Sequence, residues 1–395
     1  MRLVRIAPWL FALTLVAASC GNGNGQSSPS DASTPEAPGT TATTISEPSV
    51  SPDTDPPALD MTKHSVPLDE IYFDTFDGNT VRLSESTPEL RDRLLDAIPP
   101  IDEPSYGGAT TGDWLEPEDP VVGYVAGDQA YAYPFKILNF HEIVNDTLDG
   151  VPVLISYCPL CRSAIVYDRR LDGETLSFGN TSALYESDLV MVDRNTGSYW
   201  WQVPGSAIVG ELTGAQLTTL PSSVSTWEDW KTDHPETLLL SRDTGRSIDY
   251  RNDPFATYEQ FLDSGRFPFP VGEDARDPRL APSALVIGIS VEDTTSAYPI
   301  DDLTKAINDE VNGRPIVILP TEGGASAYSP IVDGETLVFT AVGDVFEDTA
   351  TRSIWESTGQ AVAGPLEGTT LEALPSRTTF WFALVGAFPD VELVR

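Results

Sequence analysis

Two stretches of this chain, residues 118–240 and 283–395, repeat each other, and that repetition constrains the fold more than any other feature of the sequence. VVGYVAGDQAYAYP over residues 121–134 matches VIGISVEDTTSAYP over 286–299. Val144-Asn145-Asp146 matches Ile307-Asn308-Asp309, DGETLSF at 172–178 matches DGETLVF at 333–339, and GSAIVGELTGAQL at 205–217 matches GQAVAGPLEGTTL at 359–371. Leu220-Pro221, Trp227 and Pro235 then fall against Leu374-Pro375, Trp381 and Pro389. Matches this numerous, in one order and with small gaps, predict two related modules. A connection over 241–282, rich in Arg, Asp and Pro, joins them, and an extension over 59–117 is expected to pack on their core. The shared residues are those of a scaffold: turn Gly and Pro, apolar strand positions, a Trp. The chemically distinctive residues are not shared. Aligned through the Asn-Asp pair, His141 falls on Thr304, Cys158 on Thr321 and Cys161 on Gly324, and Met191 falls on Phe346. The second module keeps the frame without the site.

Within the first module, residues 121–133 read as a short hairpin around Gly127-Asp128. Residues 135–148 read as a helix opened by Pro134 and closed by Asp149-Gly150, from the spacing of Ile137, Leu138, Phe140, Ile143, Val144 and Leu148. Strands are expected over 151–157, 163–168, 175–179 and 189–193, with shorter ones at 199–202 and 207–209 and a small helix over 226–233. The fold class is α+β, mostly antiparallel β, as two tandem related modules from an internal duplication, only the first carrying a Cys/His site.

The N-terminus points to export. Arg2 and Arg5 precede a short apolar run ending in small residues, as in a signal peptide over residues 1–19. Val16-Ala17-Ala18-Ser19-Cys20 is similar to the site at which bacterial lipoproteins are cut before a cysteine that is then lipidated, although Ala17 replaces the preferred Leu. Cys20 is therefore the expected lipid anchor, placing the protein on the outer face of the cytoplasmic membrane in the cell envelope. Residues 20–58, rich in Ser, Thr, Pro and Asp, lack apolar periodicity and are expected to form a disordered linker. The formal net charge of −37 excludes the basic footprint that nucleic-acid binding requires.

The chemistry concentrates in one stretch. Of three His and three Cys, His141, Cys158 and Cys161 lie within residues 139–169. A C-x-x-C turn between two strands can aim both sulfurs at one point, so the pair can hold a metal, cycle as a redox dithiol or close as a structural disulfide. Thiolates with the His141 imidazole, and the Met191 thioether as a further ligand, favour copper with zinc next. Cys158-Pro159-Leu160-Cys161 also looks like the C-P-x-C of thioredoxin-type oxidoreductases, yet residues 162–168 alternate like a strand where that fold has a helix. A disulfide staple would be redundant with the matching turn of the second module, which has no cysteine. The three readings stay open. Asn145 and Asp146 are expected to cap a helix end, and Trp200 and Trp201 to be core or a pocket wall. No G-x-S-x-G, H-E-x-x-H, Walker or dinucleotide-binding motif is present in the sequence, and a catalytic assignment is unknown.

HEIVNDT at 141–147, YCPLC at 157–161 and LYESDLVM at 184–191 resemble motifs of the bacterial domain-of-unknown-function family 3179, over about residues 95–395. The resemblance implies an exported protein or lipoprotein of unassigned activity. It also implies a set of motif residues: His141, Glu142, Asn145, Asp146, Tyr157, Cys158, Cys161, Asp188, Met191, Asp193, Arg194, Trp200 and Gln202. Arg162 stands where the family pattern has Gly, which implies a less tight turn after the second cysteine.

Overall fold

The computed structural model describes residues 56–300 and 303–395. The expected signal sequence, Cys20 and the linker up to residue 55 lie outside the described residues. Among those described, the chain is mostly antiparallel sheet, and its α-helices are short, six or seven residues each.

The central sheet crosses from one half of the sequence to the other. The strands Ile143–Leu148, Val151–Cys158 and Ser163–Asp168 form an antiparallel meander, and Ser163–Asp168 continues onto Arg377–Phe380 through the Ala164–Thr378 bridge. Beyond Arg377–Phe380 come Leu285–Val291, Thr294–Pro299 and Glu392–Leu393. A second junction runs the opposite way. The meander Ile307–Val311, Arg314–Thr321 and Gly324–Tyr328 meets Ser223–Thr226, with Thr226 N–H donating to Glu322 O at 3.0 Å. Gly324 makes this approach possible, because a Cβ there would lie 1.8 Å from the Val224 carbonyl oxygen. The halves are thus interleaved, each laying a hairpin against a strand of the other.

Local chemistry corrects one expected element. The helix predicted over 135–148 stops at His141, where Glu142 adopts a left-handed φ of 58°. The β-branched Ile143, Val144 and Thr147 then run as strand Ile143–Leu148. Asp149-Gly150, expected as a helix stop, is the two-residue hairpin turn into Val151–Cys158, with φ of 47° and 75°. Apolar spacing alone did not separate the two periods over this stretch.

Asn145 consequently caps no helix. Its side-chain amide docks like a strand on Phe178, accepting from Phe178 N at 2.9 Å and donating to Phe178 O at 2.8 Å. Asn308 docks in the same way on Phe339, at 2.8 and 2.9 Å. Asp146 accepts from the Tyr106 hydroxyl, and Asp309 accepts from Tyr298 at 2.9 Å, so neither caps a helix. The strand Phe178–Tyr185 is longer than the expected 175–179. It anchors a six-stranded sheet that includes Ile71–Asp74 and Asp188–Asp193. One side of this sheet and of the central meander encloses the largest apolar cluster, which contains Cys158, Cys161, Met191, Trp200 and Leu262.

Candidate metal centre

Cys158 ends a strand and Ser163 begins the next, so Pro159, Leu160, Cys161 and Arg162 form the turn between paired positions. In the second half the paired positions are Thr321 and Gly324, with only Glu322 and Gly323 between them. The cysteine turn is therefore two residues longer, and Ser163, not Cys161, is the counterpart of Gly324. The extra length carries the second sulfur inward. Arg162 takes a left-handed φ of 46°, a conformation that a Gly adopts without cost, so the backbone there is strained. The other half of the molecule holds the loop: Cys161 O accepts from Phe380 N at 2.8 Å and from Thr379 Oγ1 at 3.0 Å.

The two sulfurs lie 3.4 Å apart as free thiols, and Cys161 Sγ lies 3.3 Å from both Asp188 Oδ1 and the Ser187 carbonyl oxygen. Asp188 arrives on a turn whose Glu186 and Ser187 both have left-handed φ, of 54° and 59°. Its carboxylate accepts from Leu189 N and Val203 N, each at 2.8 Å. Among the described His, Cys, Asp and Glu residues, Cys158, Cys161 and Asp188 are gathered with donor atoms all within 4.8 Å of one another. Their exposures of 2%, 0% and 1% put the cluster out of contact with solvent.

Burial sets the electrostatics. It pushes the Asp188 carboxyl up to about 7, against the pull of the Val203 and Leu189 N–H groups. Burial also raises both thiols, Cys161 the more strongly, and Asp188 adds to the effect on each. Glu142 is a second buried carboxyl, pushed by burial up to about 8 while an Asn180 amide donating at 2.7 Å opposes the shift. Without a cation, burial favours the protonated thiols, and below about pH 7 the protonated Asp188 as well.

The other expected residues divide into supports and bystanders. Gln202 bridges Ser163 and Ser156 at 2.6 and 2.9 Å, bracing the two strands that carry the cysteines. Asp193 accepts from Trp200 Nε1 at 2.8 Å, and Arg194 is clamped by Asp96 and Asp102 at 2.9 Å each, so these three fix the sheet. Tyr157 donates its backbone N–H to Glu142 O at 2.7 Å, and its ring packs 4.5 Å from that of Phe135. Met191 is fully buried in the same apolar cluster as the sulfurs. His141 is not gathered with the cysteines. Its Nδ1 pairs with Pro99 O at 2.7 Å and its Nε2 with the Tyr250 hydroxyl at 2.6 Å, so both ring nitrogens are engaged.

The third donor gathered with the two cysteines is thus Asp188 and not His141. From the sequence Asp188 is expected only as a motif residue, because nothing in its spacing from the cysteines marks it as their neighbour. Tyr258 was missed altogether. It lies in the segment expected to be a mere connection, and that segment instead buries Tyr258, Leu262 and Ala275 in the cluster around the sulfurs.

The donor set fits a cation. In tetrahedral zinc geometry, bond lengths of about 2.3 Å to sulfur and about 2.0 Å to oxygen put two sulfurs about 3.8 Å apart, and sulfur and oxygen about 3.5 Å apart. The observed 3.4 and 3.3 Å are each within a few tenths of an ångström of those values. A disulfide would require the sulfurs to close to about 2.05 Å.

No curated protein and no solved structure matches the chain. The family described as a protein of unknown function (DUF3179) matches residues 95–391, a span that contains the cysteine turn, Asp188 and the segment carrying Tyr258. The chain belongs to this DUF3179 family.

Proposed function

We propose that this chain is a metal-binding protein of the cell envelope, held to the membrane by a lipid on Cys20, with Cys158, Cys161 and Asp188 as its ligands. The gathering of three buried donor atoms within 4.8 Å carries the reading. A dication would convert two raised thiols and a raised carboxyl into their anionic forms, and that coupling between deprotonation and binding is how thiolate sites work. The carboxylate in the set shifts the preference from copper towards zinc, since a hard oxygen donor suits Zn(II) better than Cu(I). With zinc, the role is to hold or hand on the ion; with copper, electron transfer becomes available. The matched docking of Asn145 and Asn308, and the two-residue difference in the turns, support a duplication in which only the first copy has the site.

A second reading has its own observation. Two reduced sulfurs 3.4 Å apart suit a dithiol–disulfide couple. Against it, exchange requires an accessible thiolate, whereas these sulfurs are buried and their ionisation is suppressed. Loading the full chain with Zn(II) in the absence of air, in competition with a chromophoric chelator, tests the first reading. One equivalent should bind, be lost in Cys161→Ser and Asp188→Ala, and persist in His141→Ala. Binding that survives Cys161→Ser, or that His141→Ala abolishes, would sink this ligand set.

A further inference from the structure

A hydroxyl group inside the apolar cluster has nothing to bond. Among the described residues, two buried side-chain polar atoms lack a hydrogen-bond partner, Trp201 Nε1 and the Tyr258 hydroxyl. Trp201 packs at the edge of a separate cluster. Tyr258 is 6% exposed and sits in the same cluster as Cys158 and Cys161. A salt bridge of 2.5 Å joins Arg162, the residue after Cys161, to Glu259, the residue after Tyr258, and so fixes the tyrosine beside the cysteine turn. The ring is held between Phe255, edge-on at 6.3 Å, and Phe261, stacked at 6.1 Å. A phenylalanine would fill the same space without burying an unpaired hydroxyl, so packing does not account for a tyrosine here.

We propose that Tyr258 is the fourth polar group of the Cys158/Cys161/Asp188 centre, donating a hydrogen bond to a cysteine sulfur when that sulfur is a metal-bound thiolate. The inference rests on the metal reading above and deepens it. In the metal-free chain the hydroxyl is not within hydrogen-bonding geometry of either sulfur. A thiol sulfur is a weak acceptor and a thiolate a strong one, so metal binding supplies the acceptor that draws the hydroxyl into contact. Two thiolates and one carboxylate around a dication leave a net charge of −1 in a buried site. Backbone N–H groups already serve the carboxylate, and Tyr258 serves the sulfur side. Burial, with the two sulfurs nearby, pushes the phenol well above the ordinary tyrosine range, which keeps it in the protonated form that can donate. Segment 241–282 thus completes the site as well as joining the two halves.

The test compares the full chain with Tyr258→Phe, using Zn(II) affinity by chelator competition, the sulfur-to-metal charge-transfer band of the Co(II)-loaded protein, and denaturant unfolding of the metal-free forms. Outer-shell donors to metal ligands are commonly worth ~10–100-fold in affinity. Tyr258→Phe should weaken Zn(II) binding by about that factor and shift the Co(II) band. Its metal-free form should be at least as stable as the parent, because only an orphaned hydroxyl is removed. Unchanged affinity with an unmoved band would overturn the role of Tyr258 and leave the metal centre standing. A metal-free Tyr258→Phe protein destabilised as much as its affinity falls would overturn it in favour of a structural role. A parent chain that binds neither Zn(II) nor Co(II) would overturn both this inference and the reading beneath it.

Discussion

Replacing Glu142 by Gln should make the metal-free protein more stable, and increasingly so as the pH rises. In the folded chain burial pushes this carboxyl from its ordinary 4.5 up to about 8. In the unfolded chain it ionises near the ordinary value. Between those two pH values the folded state holds a proton that the unfolded state has released, so wild-type stability must fall as pH rises through that window and level off above it. Each pH unit is worth about 1.4 kcal/mol, which puts the cost of Glu142 at about 4 kcal/mol by pH 7.5 and about 5 kcal/mol as a ceiling. Glutamine keeps an oxygen that can accept from Asn180 Nδ2, as the carboxylate does, and it cannot ionise. Urea unfolding of both metal-free proteins from pH 5 to 9 measures the difference. The two should differ by about 1 kcal/mol at pH 5 and diverge up to about pH 8, above which the gap levels off. Asp188, itself pushed up to about 7, adds to the upward shift of Glu142 through its charge, so the comparison reads Glu142 together with that coupling. A difference that does not change with pH would refute the buried, protonated Glu142.

Other consequences follow from single contacts. Asn145→Ala should cost about 2–3 kcal/mol in unfolding free energy, because it strands the buried N–H and C=O of Phe178 together. A loss of under 0.5 kcal/mol would mean that this docking is dispensable. Arg162→Gly should unfold at higher denaturant than Arg162→Ala by about 1 kcal/mol, since both lose the ion pair to Glu259 and only alanine keeps the cost of φ 46°. Equal stabilities would remove the strain argument. Glu259→Ala cuts the exposed tie between the segment bearing Tyr258 and the cysteine turn. Stopped-flow transfer of Zn(II) to excess chelator should accelerate several-fold in this variant, whereas an unchanged rate would place the exit path elsewhere.

How far the sequence reached depends on the kind of contact involved. Alternating apolar residues and Asp-Gly turns are local signals, and the strands around Cys158 and Cys161 lie within a residue of where those signals put them. The run from Phe135 to Leu148 reads as one helix because its apolar residues satisfy both helical and strand spacing. The break at Glu142 depends on a backbone conformation that has no mark in composition. The position of the centre was legible from the two cysteines, but its membership was not. His141 is close to them in sequence, yet its nitrogens face Pro99 and Tyr250; Asp188 reaches Cys161 from 27 residues away. Tyr258 comes from still further along the chain, in a stretch whose Arg, Asp and Pro content resembled a linker. Its role depends on the Arg162–Glu259 tie and the surrounding aromatic packing, both long-range contacts.

In the function proposed above, Cys158, Cys161 and Asp188 hold a metal ion. Elemental mass spectrometry of the full chain isolated without air, with free thiols counted on the same sample and on Asp188→Ala, addresses it most directly. The parent should hold about one equivalent of zinc or copper and Asp188→Ala none, and the thiols at positions 158 and 161 should both titrate in denaturant once a chelator has removed the ion. A parent with no metal even after loading with Zn(II) and Cu(I), or with the two sulfurs already joined, would contradict it and leave the dithiol–disulfide reading in its place.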